Sequence, residues 1–441
     1  MTPQTQQFPV SAHRPDGRRA WSMLVLLTLA AGVSAPGQTI GVSVFIDPML
    51  AALPVSRTQL SAAYLVGTLA GALALPRVGS WTDRVGVRRA LLLVLGLFAL
   101  ATAVASQVVG LVTVTLSFTA MRLLGQGSLG VVTGTAVAVW FVRRRGLAMG
   151  LMATGSALLL AGAPLLFGRL IPAFGWRVTW AVASLLVAGA FVAVALALPA
   201  QPGARDDHGP SRTIPAVGGS TSSSGDAVRS FTRRAAMRTR AFWGIAAVAS
   251  AINLLVTAVT FHHISIMAER GLDTLAATAV FLPQMIGGLL SGVAVGWLAD
   301  RIAGRWTLAL SMTLAAAGLL VGTVVTPGPV AVVYGLLIGA APGAIRAVEG
   351  ALLPDWFGTA HVGAIRGALA SISIGMTAVG PLLLSLLEPL TFTVGLRVLA
   401  GIAWGFVALA VTIVPPTEGP RRSVAAAVPD RRNGGARGSS A

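Results

Sequence analysis

From Trp21 to Pro415 the chain is a succession of apolar runs in which hydrophobic residues follow one another instead of alternating with polar ones. Each run is about 20–30 residues long, enough to cross a hydrocarbon core of roughly 30 Å at about 1.5 Å per residue. Inside lipid every backbone N–H and C=O must find a partner within its own segment or barrel, and unbroken apolar runs of this length satisfy that only as helices. Hydrophobic residues make up 55% of the chain and charged ones only 10%, so a polytopic, all-α membrane protein is predicted.

Twelve transmembrane helices are expected, near 21–45, 58–79, 88–107, 109–140, 146–171 and 176–199, then near 241–267, 274–298, 305–326, 329–354, 362–387 and 392–415. The stretch 200–240, rich in Gly, Ser, Pro and Arg, reads as a flexible loop joining two six-helix bundles at 21–199 and 241–415. Residues 1–20 and 416–441 read as polar tails, the latter disordered. The start of the chain has no short apolar core ending in a small-residue cleavage site, so its first apolar run is expected to be a retained helix.

All 32 basic residues are arginine, and the net charge of +18 invites a nucleic-acid reading. Their position argues against it. Twenty-four of the 32 fall on one side if both termini and the central loop are cytoplasmic, which is the positive-inside pattern of a multi-pass protein of the inner (cytoplasmic) membrane. There are no cysteines, hence no disulfide and no thiolate metal site. No phosphate-cradling loop with lysine, no nucleophile triad and no metal-ligand cluster is visible, so neither an enzyme nor a cofactor is expected.

The two halves repeat each other. "GSWTDRVGVRR" at 79–89 has a relative in "GWLADRIAGR" at 296–305, 217 residues on, and "VWF" at 139–141 matches "DWF" at 355–357. An internal duplication of a six-helix unit accounts for both. Gly79 and Gly86 are expected to allow a tight turn between spans two and three, while Asp83 with Arg84, Arg88 and Arg89 must stay out of lipid. Anchoring by the positive-inside rule explains the arginines. It does not explain Asp83 or its repeat at Asp300, and a carboxylate at a helix end can instead latch a neighbouring helix N-terminus or an arginine.

Gly79, Asp83, Arg84, Gly86, Arg88 and Arg89, with the second copy at Gly296, Asp300, Arg301, Gly304 and Arg305, resemble the signature loop of the major facilitator superfamily of transporters. The resemblance implies two pseudo-symmetric six-helix bundles that work as a monomer in most relatives, and a cytoplasmic gate between the halves formed by these residues. "WFVRRRGLAMGLMATGS" at 140–156, "GWR" at 175–177 and "RTRAFW" at 238–243 further resemble the monocarboxylate and oxalate/formate branch. Spans eight and eleven, apart from Arg366, lack the basic residues that hold dicarboxylates in oxalate/formate relatives, which argues against a dicarboxylate held in that way.

A charge at the bilayer centre costs about 2.5–3.5 kcal/mol on the lowest scales, so each one calls for a reason. Arg122 falls near the middle of span four. Arg346 and Glu349 share a face of span ten, and Glu349 is the one acidic residue well inside any span. For Arg122 the alternatives are a structural, carbonyl-bonded or ion-paired arginine and a binder of anions or compensator of a proton carrier. For Glu349 they are a partner of Arg346 and a carboxylate that loads and unloads protons. Gln38 beside Pro36-Gly37, Gln126, Asn253 and Pro342-Gly343, the last expected to interrupt span ten, add polar or broken positions on spans one, four, seven and ten, which the resemblance puts around the translocation path. His262 and His263 are expected at a gate or interface and not at a metal, since neighbouring residues diverge on a helix. Gly67/Gly71, Gly130/Gly134 and Gly146/Gly150 have the spacing of close helix packing.

The expectation is a secondary transporter of a small organic anion such as a monocarboxylate, with protons as coupling ion, the lipid bilayer as its setting and no nucleic-acid partner. The competing readings are proton-driven efflux of an amphipathic compound and a non-transporting membrane sensor.

Overall fold

A computed structural model describes residues 18–141, 144–198, 230–387 and 390–416. Most of the expected tails and central loop (1–20, 200–240, 416–441) therefore lies outside the described residues. Every regular element among those described is helical.

Span one is α1 (Arg18–Gly32), a tight turn at Ala35–Gly37, α2 (Thr39–Val42), a second turn at Ser43–Phe45 and α3 (Ile46–Ala52). Span two is α4 (Arg57–Val85), started by a reciprocal capping box: Ser56 Oγ accepts the Gln59 N–H at 3.2 Å and Gln59 Oε1 accepts the Ser56 N–H at 2.8 Å. Span three is α5 (Val87–Ala105). Span four is α6 (Leu111–Met121), a π turn (Arg122–Ser128) and α7 (Leu129–Trp140). Spans five and six run as α8 (Arg145–Ala197), 53 residues bent at Gly175 with φ +80. At 1.5 Å per residue a straight α8 would be about 80 Å long, far beyond one bilayer. Phe45 instead touches both Phe167, at 5.3 Å between ring centroids, and Trp180, stacked at 3.8 Å, which requires the two rods to fold back on each other.

The second half begins with α9 (Arg233–Ala236). Span seven is α10 (Arg240–Phe261) and α11 (His263–Glu269), span eight α12 (Thr274–Ala279) and α13 (Phe281–Ala299). Spans nine to twelve are α14 (Gly304–Gly322), α15 (Pro329–Phe357), α16 (Val362–Leu387) and α17 (Phe392–Thr412). The twelve expected crossings are thus present among the described residues, with boundaries shifted by a few residues.

Buried hydrophobic residues form two clusters. One draws on 231–413, the other on 20–198 plus a single residue from the second half, Phe261. Lipid is as apolar as leucine, so helices here associate by close packing and not by exclusion from water. The tightest seam joins α13 and α15: a Cβ on Gly339 would strike the Gln284 carbonyl and one on Gly343 the Gly288 carbonyl. Ser291 Oγ adds a 2.7 Å bond to the Ala340 carbonyl. This packing corrects the expected break of span ten, because α15 runs helically through Pro342-Gly343 with α13 pressed along it. Gly67 packs on span four as its spacing predicts, since a Cβ there would lie 2.9 Å from the Thr119 nitrogen, and Gly71 more loosely, with a Cβ 3.4 Å from Leu123. Gly130, Gly134, Gly146 and Gly150 do not: nothing lies within 4 Å of a Cβ built there. Gly79 is helical within α4, so the turn to α5 depends on Gly86 alone, at φ +82.

Candidate functional site

Span one breaks where Pro36 has no N–H to give, and the chain leaves helical geometry through Ala35–Gly37 into an extended Gln38. The break leaves the Gly37 carbonyl free of the helical ladder. Span four meets it with its π turn, in which Ser128 Oγ reaches back to the Leu123 carbonyl at 2.8 Å. The two backbones nearly touch: a Cβ on Gly37 would lie 2.5 Å from the Met121 oxygen and 2.8 Å from the Gly125 Cα. Such interruptions survive at membrane depth only where protein or a wet cavity receives the freed groups, and π turns recur at functional positions.

Arg122, the first residue of the π turn, is the receiver. It is 3% exposed. Its Nε donates to Thr68 Oγ1 at 2.9 Å and its Nη1 to the Gly37 carbonyl at 3.1 Å and to Thr39 Oγ1 at 3.5 Å. The guanidinium sits 4.4 Å from the Tyr64 ring centroid, and the Tyr64 hydroxyl shares a 2.5 Å hydrogen bond with Thr39. All these partners are neutral. Nη2 is buried and has none. The carbonyl-bonded alternative is therefore realised on one edge of the guanidinium, while no carboxylate balances its charge among the described residues.

A cavity of about 220 Å³ opens beside it, lined by Thr68, Gly71, Leu75, Arg122, Gln126 and Gly130, and by Ile374 of α16 from the other half. Gln126 Oε1 is also buried without a partner. Two residues that line this space, which is the size of a small solute, thus carry unpartnered polar atoms just beneath its wall, one on a cation and one on a neutral amide.

Other expected residues stand apart. Gln38 Nε2 turns back to Ser34 Oγ at 3.2 Å, and Asn253 Nδ2 to the Ala249 carbonyl at 3.0 Å on its own helix. Arg346 is exposed and Glu349 half-buried; they are within electrostatic reach of each other and of Arg366, yet among the described residues no ion pair within 4 Å joins them. None of these residues lines the Arg122 cavity. His262 and His263 are fully buried, their Nε2 atoms donating at 2.9 Å to the Pro381 and Ala277 carbonyls, and no group of three potential metal ligands occurs among the described residues.

At the arginine-rich end, the Asp83 side chain lies outside the described residues. Arg88 serves its own half: its Nε and Nη2 donate at 2.6 and 2.9 Å to the Leu198 and Ala195 carbonyls, capping the end of α8. Arg84, Arg89 and Asp300 are exposed. Arg301 donates at 2.7 Å to the Trp297 carbonyl and lies 3.8 Å over the Trp297 ring, while Arg305 lies 5.5 Å over Trp306. A Cβ on Gly296 would meet Ala347 across the α13–α15 seam at 3.6 Å. No described hydrogen bond or ring contact joins the halves at this end.

The opposite end is where they are tied. Asp47 Oδ1 accepts from Arg57 Nη2 at 2.8 Å and from Ser265 Oγ at 2.6 Å, and Arg57 Nη1 donates to the same Ser265 Oγ at 2.8 Å. Arg57 also lies 5.6 Å over Phe392, and Tyr64 meets Phe261 edge-on at 4.7 Å. Sequence reasoning overlooked this seam and the Tyr64, Thr39 and Thr68 partners of Arg122. A signal existed: Arg57, Tyr64 and Thr68, at spacings of seven and four, share one face of a helix, and Tyr64 is one of two tyrosines in the chain.

The family model of the Major Facilitator Superfamily matches residues 23–295, more than half of the chain. No curated protein sequence matches it. Among solved structures, a bacterial homolog of the human lysosomal transporter Spinster in an inward-facing, unoccupied conformation is similar in fold, with a TM-score of 0.69 at 13% identity over 90% of this chain and 96% of that one. The same homolog in an inward-facing, occupied conformation has a TM-score of 0.66 at 14% identity, again over 90% and 96%.

Proposed function

The chain belongs to the Major Facilitator Superfamily, and from that premise we propose that it is a secondary active transporter moving a small organic anion by alternating access, with proton coupling through Glu349. The observation that carries the anion reading is the buried Arg122: a guanidinium with only neutral partners and a free Nη2, at the edge of a cavity of about 220 Å³ that both halves line. A desolvated, unpaired cation is costly, and an anionic solute offsets that cost on binding. The volume and the single cation favour a small monoanion over a dianion. In this reading residues 21–199 rock against 241–415 around the cavity. Polar and ring contacts join the halves at the Asp47 end, and in this reading they keep that side closed while the arginine-rich end opens. The arginine bias makes that open end cytoplasmic, with both termini on the same side of the inner membrane.

Glu349 completes the scheme as a carboxylate between Arg346 and Arg366, with no contact ion pair to lock it. An apolar cavity of about 350 Å³ between α1 and α8, lined by Leu29, Val33, Leu158, Leu166 and Phe167, favours the efflux reading as second choice. The deciding experiment is uptake of labelled monocarboxylates, dicarboxylates and cationic dyes into proteoliposomes, with and without an imposed proton gradient. Gradient-driven carboxylate flux supports the first reading. Dye movement without carboxylate flux overturns it in favour of efflux, and binding without flux of either makes the protein a sensor.

A further inference from the structure

One face of α4 carries, in order, Arg57 at the outer seam, Tyr64, Thr68 beside Arg122, and Gly71 and Leu75 in the cavity wall. Spacings of seven, four, three and four keep these side chains in a single stripe. Tyr64 sits at the middle of it, packed edge-on against Phe118 of span four at 6.5 Å between ring centroids, and three further contacts tie it to the site and to the other half. Its ring face meets the Arg122 guanidinium at 4.4 Å. Its ring edge meets Phe261 of the second half at 4.7 Å, and Phe261 is the one second-half side chain counted in the first half's core. Its hydroxyl bonds Thr39 at the break of span one, a residue that Arg122 Nη1 also approaches at 3.5 Å. Whatever moves the guanidinium therefore acts on the ring that closes the outer seam.

We propose that Tyr64 is a positioning residue that carries occupancy of the Arg122 cavity to the outer seam. The inference rests on the anion reading for what occupies the cavity, while the relay itself is a property of the contacts. In the structure Nη2 is unpartnered, and the guanidinium spends its attraction on the Tyr64 face and on neutral oxygens. An anion in the cavity draws Nη2 toward itself, because a charge-assisted bond outcompetes a cation–ring contact. The ring then loses its cation contact while Thr39 still holds its hydroxyl and Phe118 still packs edge-on against it, its edge contact with Phe261 weakens, and the Asp47–Arg57–Ser265 latch remains as a tie at that end. A bound ligand can shift such an equilibrium only through contacts that differ between the two states, and the guanidinium–ring contact is one of them.

The chain has no cysteine, so a single reporter can be introduced. Thr278 is fully buried, and its Oγ1 would lie 3.0 Å from a Cβ on Gly168 in the contact between α12 and α8, across the two halves. In the Thr278→Cys protein in nanodiscs, the rate of labelling by a hydrophilic maleimide reads opening of the outer side. Without ligand, Tyr64→Leu is expected to raise that rate about tenfold and Arg122→Gln by less, and the double variant to match Tyr64→Leu alone, because Arg122 acts through the ring. Tyr64→Phe keeps both ring contacts and is expected to label at the parent rate, which also guards against misfolding as the cause. Additive effects of Tyr64→Leu and Arg122→Gln, or a Tyr64→Phe rate equal to that of Tyr64→Leu, would overturn the relay. With saturating pyruvate as probe, labelling of the parent rises and that of Tyr64→Leu does not rise further. A parent indifferent to pyruvate, acetate and phosphate, with the variant pattern intact, would remove the anion reading and leave the relay standing.

Discussion

Span four and span ten occupy matching places in the two repeats, yet they carry charge in opposite ways. Span four begins a π turn at Arg122 and presses Gly125 against the broken span one, while spans one and two supply the oxygens and the ring that hold the guanidinium. Span ten keeps its helix through Pro342, held by the glycine seam with α13, and leaves Arg346 exposed and Glu349 half-buried with Arg366 nearby. The first cation is buried and hydrogen-bonded; the charged pair of span ten is exposed and half-buried, with no contact ion pair among the described residues. A binding group benefits from being preorganised and desolvated, whereas a proton carrier must exchange with solvent. The two halves thus treat the backbone differently at mid-membrane.

The comparison can be broken most severely at Arg122. Arg122→Gln is expected to lower anion uptake in proteoliposomes about a hundredfold, because the buried guanidinium is lost. Arg122→Lys should recover only part of it, since a single ammonium cannot hold Gly37, Thr68 and the solute at once. Uptake unchanged in Arg122→Gln would reduce the residue to a helix-packing role. At span ten, Glu349→Gln is expected to lower gradient-driven uptake about tenfold while leaving solute exchange without a gradient near the parent rate. Equal loss of both would make Glu349 a structural neighbour of the arginines.

Packing separates the two regions next. A methyl on Gly37 would meet the Met121 oxygen at 2.5 Å, whereas one on Gly350 finds nothing nearer than Arg366 Nη2 at 4.0 Å. Gly37→Ala should destabilise the protein by about 1–3 kcal/mol and lower its melting temperature in detergent by several degrees, with Gly350→Ala within about 0.5 kcal/mol of the parent. Similar melting temperatures for the two would show that span one yields where it crosses span four. The smallest effect is expected at the motif loop: Asp83→Asn should slow turnover a few-fold and leave equilibrium solute affinity within about twofold, as for a group that acts only on conformational cycling. A large loss of affinity in a binding titration would remove it from the gate.

Much of this was legible in advance, for reasons that differ residue by residue. Arg122 stood out because any charge in an apolar run needs a purpose, and Pro36-Gly37 because a missing N–H breaks a helix wherever it falls. Pro342-Gly343 carries the same local signal with the opposite result, because neighbouring α13 holds α15 helical. Gly67 and Gly130 likewise share a spacing, but only at the former would an added Cβ strike another helix.

The run lengths, the repeat and the arginine bias determined a twelve-helix, two-half membrane protein, since hydrocarbon leaves a chain few ways to satisfy its backbone. Which polar groups meet was decided only in three dimensions. Asp47, Arg57 and Ser265 are separated by up to 218 positions, and Tyr64 and Phe261 by 197, so no local pattern records their contact. The free Nη2 of Arg122 is likewise a fact of tertiary structure: it is defined by the partners the packed helices fail to provide, and a sequence lists only the partners that exist.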